Sequence, residues 1–166
     1  MDGLAVGVDV QANRGCPIAV LRADGSSVAA VWADHPKAAR SQLGEILARE
    51  GVAPARVAIG IDAPRTSLPQ PRPYAWSGAA RRWRCRSGEQ RGLGRHSEVA
   101  ISAHRLAQPQ WSPLAGEAPE WMQRGFHLYE ALADLGRVYE AFPSASYRQL
   151  RDTGVKVELD LGALCA

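Results

Sequence analysis

The chain has 166 residues, 46% of them hydrophobic and 22% charged, which suits one compact domain with a sizeable core, since domains commonly run to about 100 to 200 residues. A mean hydropathy of -0.24 and the lack of any long unbroken apolar run exclude a membrane-spanning helix and a largely disordered chain. The net charge of +3 hides an asymmetry: residues 72–105 hold eight Arg against Glu89 and Glu98, while residues 1–71 balance and residues 106–166 are acidic.

The N-terminus, MDGLAVGVDV, carries an acid where a signal peptide needs a basic region and reads at once as a strand, so the expected location is the cytoplasm. Residues 4–10 and 17–22 are short apolar runs separated by the turn-rich QANRGC, and VAAVWA follows the turn signal ADGSS. These predict a three-stranded antiparallel meander. From Pro36 the apolar residues Ala39, Leu43, Ile46 and Leu47 recur at helical spacing until Gly51, which predicts one amphipathic helix. RVAIGI at 56–61 is short and β-branched, a buried fourth strand ended by Asp62-Ala63-Pro64.

Residues 64–95 are rich in Pro, then in Gly and Arg, with poor periodicity; they read as an inserted loop or lid with a short helix around 78–84. Helices are expected at 96–107 and at 118–136, with Trp111, Trp121 and Phe126 filling core. RVYEAF at 137–142 makes a fifth strand stopping at Pro143, and Ser144 can cap a last helix. Cys16, Cys85 and Cys165 are odd in number and lack a C-x-x-C pair, which argues against a disulfide framework and against a cysteine zinc site.

The expected architecture is a single α/β domain over 1–166, a mixed five-stranded sheet in the order β-β-β-α-β-α-β-α, flanked by helices. That is the ribonuclease H-like order. Half of an actin or sugar-kinase fold shares it, so topology alone does not choose a chemistry.

Asp9 near the end of the first strand and Asp62 at the end of the fourth fall on neighbouring parallel strands, at the sheet end where α/β proteins place their ligands. Glu140, two residues before the fifth strand's end, is a candidate third acid. A buried, unpaired carboxylate costs several kcal/mol, so such acids need a partner, and a hard cation such as Mg²⁺ or Mn²⁺ is one. The alternative is that Asp62 caps a turn while Asp9 pairs with an arginine. Glu98 can complete the acid set or pair with Arg95. Arg65, Arg81, Arg82, Arg84, Arg86 and Arg95, with Trp83 interleaved in the 79–95 run, suit phosphate contacts and base stacking, or form a solvated charged surface. His96 and His104 are eight apart in sequence and read as ordinary, with proton shuttling by His96 a lesser option.

Four blocks, GVDVQANRGCPIAVL, AIGIDAPRTSLP, GRHSEVAISAHRLAQPQW and YEAFPSASYRQL, resemble the domain-of-unknown-function family 429, regarded as predicted nucleases with a ribonuclease H-like fold. The likeness covers most of residues 4–151. It implies that Asp9, Asp62 and Glu140 are the family's acids and that Arg95 and Glu98 fall in its R-x-x-E-like block. Such proteins tend to continue into helices that in related nucleases contribute another acid, so the resemblance implies that this chain, ending VELDLGALCA, lacks them and one metal ligand.

Three functions remain open. The first is a divalent-metal-dependent nuclease or phosphoesterase that acts on nucleic acid or another phosphate-bearing ligand through Asp9 and Asp62, assisted by Glu140 or Glu98. A second is a sugar-kinase-type phosphotransferase, disfavoured because the turn DVQANRGC lacks a D-x-G-x-T-like pattern. The third is a binding module that holds nucleic acid or an acidic protein without chemistry. No membrane partner is expected, and oligomeric state is not legible.

Overall fold

Strict alternation dominates the first strand, and it becomes the organising feature of the fold. In the computed structural model, which describes residues 3–72, 74–77, 79–85, 92 and 94–152, Leu4, Val6 and Val8 of β1 (Leu4–Asp9) are buried while Ala5, Gly7 and Asp9 lie exposed on the other face. β2 (Cys16–Arg22) returns antiparallel to β1 and pairs with β3 (Ser27–Ala33). α1 (Pro36–Glu50) follows, its first turn capped by the His35 side chain and its end by Gly51. β4 (Val57–Asp62) then lies parallel to β1 with no register shift, so Leu4 faces Val57 and Asp9 faces Asp62.

The sheet runs β3-β2-β1-β4-β7, with β7 (Arg137–Glu140) parallel to β4. It is a mixed five-stranded sheet in an α/β architecture, as expected. One face carries the core. Val6, Val8, Ile18, Val20, Ile59 and Ile61 pack there against Leu43, Ile46 and Leu47 of α1 and Leu128, Tyr129 and Leu132 of α3 (Glu120–Leu132). Each fully buried aliphatic side chain of this kind contributes about 1.5 to 3 kcal/mol, so the two helices and the sheet hold one another.

The chain divides into two compact units. Among the described residues the first comprises 3–65 and 119–141, and holds the whole five-stranded sheet with α1 and α3. The second comprises 66–118 and 142–152, with the hairpin of β5 (Tyr74–Ser77) and β6 (Arg82–Cys85), α2 (His96–Ala103) and α4 (Pro143–Asp152). The expected insertion at 64–95 falls almost wholly in this second unit.

Where a helix is expected around 78–84, residues 79–81 form a turn and 82–84 lie in the second strand of that hairpin, with Ser77 opposite Arg82 and Trp76 opposite Trp83. Its physical reason sits at the turn: Arg81 has φ 47, a left-handed conformation that a right-handed helix cannot contain. α3 is shorter than the periodic pattern at 118–136, because residues 133–136 form a turn before β7. Cys16 is a buried free thiol whose pKa is raised by that burial. Cys165 and the tail whose missing helices the resemblance implied lie outside the described residues. Among those residues no helix is long and apolar enough to cross a membrane.

Candidate functional site

β1 and β4 end together, and each ends in an aspartate. Their parallel register sets Asp9 directly beside Asp62, and neighbouring strands lie about 4.8 Å apart. Alternation puts both on the face of Ala5, Gly7, Ala58 and Gly60, opposite the core. The small residues behind them leave that end of the sheet low.

Electrostatics bear out the proximity. The Asp62 carboxyl is pushed up to about 6, first by its partial burial and then by the like charge of Asp9. The alternative partners are not there: among the described residues no arginine pairs with Asp9, and Asp62 accepts no side-chain or turn hydrogen bond. Asp9 Oδ2 instead accepts from Gln11 Nε2 at 2.8 Å.

Three residues of α3, none of them singled out by motif, hold the two strand exits. Arg124 Nη1 donates to the carbonyls of Gln11 at 3.1 Å and Arg14 at 2.7 Å, tying down the turn that follows Asp9. The Tyr129 hydroxyl donates to the Ala63 carbonyl at 2.9 Å, with the Ile61 carbonyl at 3.4 Å, bracketing Asp62. Gly125 lets the helix approach that closely, because a Cβ there would stand 2.7 Å from the Ala63 Cβ. The sequence signal for Tyr129 is only helical periodicity, which marks a face and not a hydrogen bond, and Arg124 lies outside that apolar pattern.

Glu140 is not brought to the pair. It is in register with Ile61, a core-facing residue, so pleating puts it on the opposite side of the sheet from Asp9 and Asp62. There its Oε2 accepts from the Arg65 backbone N–H at 3.4 Å. The Arg65 guanidinium lies 5.5 Å from the centroid of the Tyr129 ring, a cation–π contact.

Glu98 takes the arginine, one of the two roles expected for it. It is 3% exposed, and Arg95 binds its Oε1 through Nε and Nη2, each at 2.9 Å. The other donors are the Arg95 N–H at 2.9 Å, the Ser112 N–H at 2.8 Å and the Ser112 hydroxyl at 2.5 Å. Both carboxylate oxygens are therefore spent on the start of α2 and on the 112 loop. Arg95 is engaged in the same network. Arg82 and Arg84 are exposed on β6, Arg81 borders a cleft of the second unit, and Arg86 lies outside the described residues. His96 is exposed at the start of α2. Of the three aromatic residues expected in core, Trp121 packs against it and Phe126 is half-buried, whereas Trp111 is 44% exposed.

Among the described residues no group of three or more His, Cys, Asp or Glu side chains converges. What the structure brings together is a pair. Two adjacent carboxylates, one half-buried and neither balanced by a basic side chain, fit Mg²⁺ or Mn²⁺, which bind through one or two carboxylates and keep their remaining positions for water and phosphate oxygen. No family model, no curated protein and no solved structure matches this chain.

Proposed function

We propose that Asp9 and Asp62 form the centre of a divalent-metal-dependent hydrolase of phosphodiesters, on a sheet of the ribonuclease H-like kind, in line with the resemblance to the domain-of-unknown-function family 429. The observation that carries this reading is the in-register pair at the ends of two parallel strands, alike in charge and, among the described residues, without a basic partner. A divalent ion held there would neutralise phosphate charge and supply an activated water. The chain's own part is to fix two carboxylates at the spacing of adjacent strands. Gln11 restricts the rotation of Asp9, and Tyr129 and Arg124 fix the backbone on either side. Glu98 and Glu140 take no part in the proposal, since one is saturated and the other faces away.

Calorimetric titration of Mn²⁺ and Mg²⁺ into the wild type, Asp9→Asn and Asp62→Asn tests it. Binding should appear in the wild type and fall at least tenfold in each variant, and metal-dependent cleavage of a diester probe should fall with it. Equal metal binding in all three proteins, or none in the wild type, overturns the reading. If nucleic-acid affinity then survives both substitutions, the protein is a binding module on this fold.

A further inference from the structure

The second unit holds a cleft of about 730 Å³, bordered by Arg72, Trp76, Arg81, His104, Arg105 and Trp111. That volume is the size of a small-molecule site. Its composition is unusual for a surface hollow: three guanidinium groups and two indoles line it, and no Asp or Glu does among the described residues. Among the described residues Arg81 and Arg105 make no ion pair, and two guanidinium groups bordering one hollow favour an anion there.

The backbone points to the same place. Among the described residues only two other than glycine have positive φ, Arg81 at 47° and Arg105 at 56°, and both border this cleft. Arg105 ends α2 in a left-handed stop, with the Arg105 N–H on the Ser102 carbonyl at 2.9 Å and the Leu106 N–H on the Ile101 carbonyl at 3.0 Å. Glycine is the usual residue at such a stop. An unfavourable backbone conformation spent twice on a long cation, each time at the border of one hollow, is the kind of outlier that accompanies a binding site.

The remaining walls are held in place. Arg72 is 8% exposed; its Nε donates to the Gly94 carbonyl, and its backbone pairs with Gly92 through bonds of 2.9 and 3.1 Å. Trp111 lies against Gly94, whose φ of 81° and lack of a Cβ allow the indole to sit there. Although packed on one side, Trp111 remains 44% exposed, which leaves indole surface for stacking.

We infer that this cleft binds a nucleotide, as a free monophosphate or as one unit of a single strand, with phosphate gripped by Arg81 and Arg105 and the base stacked on Trp111. Guanidinium forks match phosphate oxygens in two-point geometry, and an indole accepts any base face. The site belongs to the second unit alone and stands whether or not the aspartate pair hydrolyses anything.

Calorimetry with AMP, adenosine, inorganic phosphate, dTMP and (dT)₈ tests it. AMP should bind more tightly than either adenosine or phosphate. The double variant Arg81→Gly, Arg105→Gly keeps both left-handed positions comfortable, so it should fold as well as the wild type, and it should lose at least tenfold in AMP affinity while adenosine binding stays unchanged. Trp111→Ala should weaken AMP and adenosine alike, with Trp111→Phe restoring part of both. Tighter binding of (dT)₈ than of dTMP assigns the ligand to a strand and the reverse to a free nucleotide; both uphold the site. Absence of AMP binding to the wild type at millimolar concentration, or AMP affinity unmoved by the double arginine variant, overturns it.

Discussion

Asp62 carries a cost that the rest of the strand does not. Its folded-state pKa of about 6 lies above the ordinary value of 3.8, so the folded protein holds that proton more tightly than the unfolded chain. Stability is therefore greatest where the carboxyl is protonated and falls as pH rises from about 4 through 6. The full shift corresponds to about 3 kcal/mol, which solvent screening of this half-exposed group reduces to about 1 to 2 kcal/mol. Asp62→Asn in the presence of a chelator should remove that fall and melt later than the wild type at pH 7.5, with little difference at pH 4; denaturant melts across this range measure it. Magnesium should narrow the gap at pH 7.5 if the pair binds it. A comparable exchange is expected at Arg105, where glycine relieves the left-handed backbone. Arg105→Gly should stabilise by about 0.5 to 1 kcal/mol, read as a higher denaturant midpoint.

At the scale of elements, α3 is both the lid of the core and the brace of the two aspartates. Gly125 faces Ala63 across a gap too small for a side chain, so Gly125→Val should push the helix off the β4 exit. We expect a loss of about 1 to 3 kcal/mol, as for other overpacked contacts, together with weaker metal binding. Tyr129→Phe removes only the hydroxyl that meets the Ala63 carbonyl, and should cost about 1 kcal/mol while leaving the helix in place. The pattern of these elements was legible in the sequence because alternation and the 3.6-residue period are local. Asp9 and Asp62 could be paired from the strand order alone. Glu140 could not be assigned a face, because a one-residue change of register turns every side chain over and no local signal fixes it. Glu98 met its second partner, Ser112, fourteen positions away in a loop without periodicity. The β5–β6 hairpin was hidden for a related reason: its turn depends on Arg81 adopting a conformation for which arginine has no preference.

At the scale of the molecule, the chain passes between its two units three times among the described residues, after residues 65, 118 and 141. Neither unit is a continuous stretch, so no single cut releases one of them intact. Synthesis meets this arrangement from one end. Both aspartates, and the four strands that include theirs, have been made by residue 62, but Arg124, Gly125 and Tyr129 are added only after most of the second unit has been translated. During that interval Ile59 and Ile61 have α1 to cover part of their face and no α3. Ribosomes stalled before α3 emerges should hold nascent chains that protease cuts readily, and protection should appear only when α3 and β7 have both left the exit tunnel. The acid pair is thus among the earliest parts of this protein to exist and among the last to be locked, which makes the translating ribosome the place where its geometry is most easily lost.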